Sequence, residues 1–136
     1  MNNIHSLIEK RFNNTNKLIF LATSIDNTPY IRAMTPYYNE GSFYFISSLL
    51  SEKIKHIEIN NKVALCGEWF NAQGLAYIKS LEDFDITLKK GIIDHTGDWI
   101  RLSNIDLNDI NTCIIQVILT EGYIVENKVK YTIKKL

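Results

Sequence analysis

Between residues 17 and 47 the chain reads KLIFLATSIDNTPYIRAMTPYYNEGSFYFIS. Three apolar, β-prone runs follow one another with only Asp26-Asn27 and Asn39-Glu40-Gly41 between them. Turn-forming residues between such runs predict hairpins. Parallel strands need a crossover of a dozen or more residues, so these connections leave only antiparallel pairing. The first third of the chain is therefore expected to be a meander. In its second strand Tyr30, Arg32 and Met34 share one face, and Ile31, Ala33 and Thr35 the other. Pro29 suits a strand start, and Pro36 marks an edge or a bulge.

The rest of the chain extends this pattern. Ile4, Leu7, Ile8 and Phe12 are spaced by three and four and predict an amphipathic helix over residues 2–14. A short helix is expected over residues 51–60, with Ser51 as N-cap and Ile54 and Ile57 on its apolar side. NKVALCGEWF reads as a fourth strand, and QGLAYIKSL as a fifth after a turn at Asn71-Ala72. Residues 82–102 read as mostly helical, with Gly91 and Gly97 as weak points. NTCIIQVILTEGYIV and KVKYTIKKL close the chain as two strands joined near Glu126-Asn127. About seven strands with short turns predict one domain over residues 1–136. Its class is α+β with β dominant, an antiparallel barrel-like sheet with short flanking helices.

Charge narrows the function classes. Fifteen basic residues balance fifteen acidic ones. No basic excess exists to neutralise a nucleic-acid backbone or to hold an acidic membrane surface. No apolar run reaches the ~18 residues that span a bilayer, and the N-terminus has no secretory pattern, so a cytoplasmic protein is expected. Cys66 and Cys113 lie in apolar stretches and read as buried free thiols. Neither has neighbours at metal-ligand spacing, and no metal site is expected. His5, His56 and His95 sit in polar contexts and read as surface histidines, His56 being the least dismissible because it lies on the short helix. Tyr37, Tyr38, Phe43, Tyr44 and Phe45 are expected to pack a barrel or a dimer surface, and Trp99 to anchor the later helix. Lys128, Lys130, Lys134 and Lys135 read as a solvated strand face. No nucleophile elbow, Cys-His pair or glycine-rich phosphate loop is visible. Any redox chemistry would then belong to a bound cofactor, and no catalytic side chain is assigned.

The stretch FYFISSLLSEKIKHIEINNKVAL, residues 43–65, can be read in two ways. One is a turn followed by a capped helix. The other is an anion pocket. A helix N-terminus attracts anions; Ser47, Ser48 and Ser51 offer hydroxyls, and Lys53 a point charge. Arg32, on an apolar strand, needs a partner. Either a carboxylate or a phosphate would serve.

The order of elements resembles the pyridoxamine 5'-phosphate oxidase-like family of flavin-binding split β-barrels, in particular its general stress protein and nitroimidazole-resistance-type bacterial members. Three segments carry the resemblance: IFLATSIDNTPYIRAM, FYFISSLLSEKIKHIEINNKVAL and NTCIIQVILTEGYIVENKVKYTI. The resemblance implies a homodimer with FMN at the subunit interface. It places Arg32 and Lys53 at the flavin phosphate, with Ser47, Ser48 and Ser51 around it. Ala33 and Met34 fall on the strand beside the isoalloxazine. Trp69, Phe70 and Gln73 of the other subunit fall where the ring is covered. It implies an FMN-dependent reductase or oxidase acting on a small molecule, with a nicotinamide cofactor as a possible electron donor. Glu52 stands where many relatives carry a basic residue, and Leu49 and Leu50 where they are often polar. These departures keep open a non-catalytic binder of flavin or another planar ligand, a stress or sensor protein on the same scaffold.

Overall fold

A computed structural model describes residues 3–102 and 106–134. Helix α1 spans Asn3–Phe12, followed by strands β1 (Ile19–Ile25), β2 (Thr28–Met34), β3 (Tyr37–Asn39) and β4 (Ser42–Ser48). Helix α2 (Glu52–Ile59) leads into β5 (Lys62–Gly67) and β6 (Phe70–Lys79). A 3₁₀ turn at Leu81–Asp83 and helix α3 (Ile86–Leu102) precede β7 (Thr112–Glu126) and β8 (Val129–Ile133). The eight strands form one sheet in the order β2-β1-β5-β6-β7-β4-β3, with β8 also on β7. Every pairing is antiparallel. The sheet curls but does not close: β2 and β3 are its two ends in that order. This is the expected α+β fold, a split antiparallel barrel dominated by strands.

Eight strands replace the expected seven because the second run divides. Thr35 and Pro36 separate β2 from β3, and β3 turns away to pair with β4. A proline lacks the N–H that a continuous ladder would use. The hairpin turns carry paired left-handed residues: Asp26 and Asn27 (φ 50° and 63°), Glu40 and Gly41 (41° and 93°), Asn127 and Lys128 (52° and 66°). That geometry matches the twist of the strands it joins.

The turn between β5 and β6 lies at Glu68-Trp69, not at the expected Asn71-Ala72. Asparagine suggests a turn, but Asn71 pairs with Cys66 inside the ladder. Trp69 adopts φ 51° instead, a left-handed conformation rare for a bulky residue.

The barrel interior holds Ile19, Leu21, Phe43, Phe45, Leu65, Phe70, Ile115 and Val117. Phe43 is the hub of an aromatic cluster. Its ring centroid lies 5.6 Å from that of Phe12, 5.7 Å from Phe70 and 4.9 Å from Tyr38. The expected stripe of α1 closes this core: Ile8 and Phe12 are buried, while Ile4 and Leu7 pack at its margin. Arg11, on the same helix, is also buried and ties α1 to the β7–β8 end. Its guanidinium donates to the carbonyls of Glu68 and Val125 and pairs with Glu126 at 2.5 Å.

A second cluster forms on the outer side of β4 and β7. There Tyr44, Ile46 and Ile114 meet Ile92, Phe84 and Leu88 from the α3 region. The five aromatics from Tyr37 to Phe45 thus pack the two sides of one sheet. The Trp99 side chain lies outside the described residues, as does Lys135; Lys128, Lys130 and Lys134 are exposed. Among the described residues no helix is long and apolar enough to cross a membrane.

Candidate cofactor site

Helix α2 packs across β1 at the Thr23 end of the barrel, and its three inward residues are Ile54, His56 and Ile57. This seat brings Lys53, Arg32, Ser47 and Ser51 to one place. Arg32 is on the inward face of β2, opposite Leu21. One terminal nitrogen donates to the Leu21 carbonyl (3.1 Å) and to Thr23 Oγ1 (2.9 Å). Among the described residues the other guanidinium donors have no protein partner, and no buried side-chain polar atom is left unsatisfied. Those donors therefore open to solvent.

Lys53 is half-buried at the start of α2. Burial lowers its pKa, and the nearby charge of Arg32 lowers it further. Burial also lowers the pKa of Arg32. Among the described residues neither cation forms a salt bridge. Two like charges held together without an anion raise the free energy of the empty site. A dianion between them would reverse that cost.

The serines lie in the turn that leads from β4 into α2. Ser47 Oγ lies 3.4 Å from Ser51 Oγ. Ser51 holds the N-cap position, but its side chain does not cap the helix. Its hydroxyl instead donates to the Ser48 carbonyl at 2.9 Å, while Ser48 Oγ accepts from the Leu50 N–H at 3.2 Å. With no side-chain cap, the positive end of α2 stays open. Glu52 is exposed. Adjacent helix positions do not face each other, so its carboxylate leaves Lys53 unpaired. Leu49 and Leu50 are 42% and 74% exposed beside this turn.

The remaining expected site residues lie apart from this cluster. Met34 is buried in the core, and Ala33 faces outward against Phe20. Trp69 is exposed at the opposite end of the barrel, beside a groove of ≈ 350 Å³ that includes Lys10 and Lys17. Gln73 is exposed and lines a groove of ≈ 650 Å³ on the outer face of β1, β5 and β6. Phe70 corrects the expectation that it covers a ligand ring. It is 2% exposed and packs edge-on against Phe12 at 5.3 Å. The turn at Trp69 sets this phase, so that Phe70 and Ala72 face inward and Asn71 and Gln73 outward.

Two more side-chain expectations are corrected. Cys66 is exposed, because Val63 and Leu65 take the inward positions of β5; Cys113 alone is a buried thiol, and burial pushes its pKa up to about 11. Of the three histidines, His56 is buried against expectation, while His5 and His95 are half-buried. His56 is 7% exposed and bonded to Thr23 at 2.9 Å. His5 bonds the Tyr38 hydroxyl at 2.6 Å, and His95 Nδ1 donates to the Gly91 carbonyl at 2.7 Å. Thr23, one residue beyond the apolar run of β1, was the contact sequence reading missed. Its place in LAT-S gave no cue that its hydroxyl would join Arg32 to His56.

The lowered pKa of Lys53 gives a signed pH dependence. Below that pKa the ammonium is charged at an energetic cost to the empty fold. As pH rises toward the ordinary lysine value of 10.5 the proton leaves and the cost disappears. Binding of a phosphate dianion runs the other way, because it needs the charged ammonium. Affinity for a phosphorylated ligand is therefore expected to fall as pH climbs through the range just below 10.5. Lys53→Arg, which stays charged, should flatten that fall. Parallel profiles of the two proteins in a binding titration would contradict the assignment.

Comparison with known proteins places the fold. No protein-family model and no curated protein matches this sequence. Solved structures do match. General Stress Protein 26 from Bacillus anthracis str. Sterne aligns with a TM-score of 0.68 at 16% identity, over 98% of this chain and 99% of its own. A Clostridium acetobutylicum protein related to general stress protein 26, of the pyridoxinephosphate oxidase family, gives 0.68 at 15% identity over 98% and 96%. A heme binding protein from Mycobacterium smegmatis gives 0.66 at 10% identity over 96% of this chain and 56% of its own. The fold is that of the pyridoxamine 5'-phosphate oxidase-like split barrels, general stress protein 26 included.

Proposed function

We propose that this protein binds FMN at the interface of a homodimer and works as an FMN-dependent oxidoreductase, a reductase or an oxidase, on a small molecule. The observation that carries the reading is the cation pair Arg32 and Lys53, which among the described residues has no salt bridge, at an uncapped helix start beside the turn that carries Ser47, Ser48 and Ser51. That donor set suits a terminal phosphate: a forked guanidinium, a point charge and hydroxyls. The bound flavin would supply the electron transfer. Arg32 and Lys53 hold the phosphate, and the serines orient it. Ala33 and Met34 offer backbone along β2, and Trp69 and Gln73 offer exposed side chains for the partner copy's site.

The outer face of β2, β1 and β5 supports a second copy as partner. Phe20 and Ile31 are 45% and 68% exposed there, and Ala33 and Cys66 flank Phe20 in register. Contiguous exposed apolar residues on a sheet face mark an interaction surface. Sedimentation is expected to give twice the 15.7 kDa chain mass. Ile31→Lys should shift it to the single-chain mass, and an unaffected dimer would remove this face from the account.

The purified protein is expected to take up FMN and to show flavin absorbance. Bleaching of that absorbance by a nicotinamide cofactor would mark the electron donor. A protein that takes up no FMN overturns the reading. The similarity to a heme binding protein supports one alternative, a non-catalytic binder of a planar ligand. Uptake of hemin in place of FMN would favour it.

A further inference from the structure

Arg32 is steered by a neutral hydroxyl rather than by an acid. A guanidinium can only donate, so Thr23 Oγ1 accepts from Arg32 across 2.9 Å. The same oxygen lies 2.9 Å from Nδ1 of His56. Thr23 is 1% and His56 7% exposed, so the contact is buried. The threonine has one proton, and its oxygen is already turned toward Arg32. The oxygen has a second lone pair and could also take a proton from Nδ1, but the hydroxyl proton would then have no acceptor among the described residues; pairing that proton directs it at Nδ1. On that assignment Nδ1 of His56 accepts and the ring proton sits on Nε2. The Tyr30 ring lies over the imidazole at a centroid distance of 4.3 Å and an interplanar angle of 33°, which restricts how the ring can turn.

We infer that His56 and Thr23 are positioning residues for the anion site. His56 fixes the rotor of Thr23, and Thr23 together with the Leu21 carbonyl fixes one corner of the Arg32 guanidinium. The remaining donors of Arg32 are then presented in one orientation beside Lys53. This inference rests on the phosphate-site reading and adds the residues that aim it. A carboxylate in place of Thr23 would also hold Arg32, but it would neutralise the charge the anion needs. A hydroxyl positions the cation and leaves its charge available.

Two sets of variants separate positioning from packing. Thr23→Val keeps the shape and removes the hydroxyl; Thr23→Ser keeps the hydroxyl. His56→Leu removes the acceptor, while His56→Asn places an amide oxygen near the position of Nδ1. Thr23→Val and His56→Leu are expected to lose about tenfold in FMN affinity, the scale of one hydrogen bond to a charged group. Riboflavin, which lacks the phosphate, should bind all variants alike. Thr23→Ser and His56→Asn should restore FMN binding to within about twofold of the wild-type value. The ring nitrogens of His56, read by two-bond ¹H–¹⁵N correlation in the wild-type protein, should show a bare Nδ1. That reading needs neither ligand nor variant. A protonated Nδ1, or a folded Thr23→Val protein with unchanged FMN affinity, overturns the relay while leaving the anion site intact. If the wild-type protein binds neither FMN nor inorganic phosphate, the anion site fails, and the positioning role fails with it.

Discussion

The double variant Arg32→Ala/Lys53→Ala is expected to lose FMN by about two orders of magnitude or more, while remaining a folded dimer. Each cation contributes a charge-assisted bond of about 1.5–3 kcal/mol to a phosphate, and about 1.4 kcal/mol is a factor of ten. Neither side chain belongs to the barrel core. The pair is already a cost to the empty protein, since burial and Arg32 both oppose the charge on Lys53. Its removal should leave thermal stability unchanged or higher, the usual relation between a functional site and stability. Circular dichroism and sedimentation check the fold; fluorescence titration with FMN checks the site. A folded double variant that retains FMN would remove this pocket from the account.

The second large effect concerns Gly122, in the middle of β7. Its φ is +148°, and it pairs with Ala72 of β6. A Cβ there would overlap the carbonyl oxygen of Asn71 and lie 2.6 Å from the Ala72 Cα. These are backbone atoms of a paired strand and cannot swing aside. Gly122→Val is therefore expected to cost about 3–5 kcal/mol, from backbone strain together with loss of the β6–β7 pairing. A domain of this size has about 5–15 kcal/mol in total. Chemical denaturation should show either a large fall in midpoint or no folded protein. A variant within 1 kcal/mol of wild type would mean that β6 and β7 do not approach as described.

The fold was largely legible because it rests on alternation and turn chemistry. Ile19 and Leu21, Val63 and Leu65, Phe43 and Phe45 each announce a buried strand face. Asp26-Asn27 and Glu40-Gly41 announce the turns. The turn at Trp69 was not legible, because a bulky aromatic with positive φ contradicts local preference; its carbonyl accepts a non-local hydrogen bond, from the Val125 N–H at 2.9 Å. That one displacement decided that Phe70 is core. Cys66 was misplaced for a related reason: composition marked its strand as buried, and only the pairing shows that one face of β5 is open.

The cluster at the start of α2 was legible in its charges and not in the contacts behind them. Arg32, Lys53, Ser47 and Ser51 were identified by residue type and order, and the fold brings them together. Ser51 was expected to cap α2, yet its hydroxyl turns back to Ser48. His56 was read as a surface histidine because EKIKHIEI is mostly polar. Helical phase alone places it beside Ile57 on the face that meets β1. Contacts between a helix and a strand 33 residues away are set by packing and leave no local mark in the sequence.

The proposed FMN site puts the flavin phosphate at the Arg32–Lys53 end of the barrel. The most direct measurement is a paired equilibrium titration of the wild-type protein with FMN and with riboflavin in the same buffer. Saturation is expected at one FMN per chain, with riboflavin bound at least about tenfold more weakly because it forgoes the charge-assisted bonds. Equal affinity for the two, or uptake of neither, would contradict it.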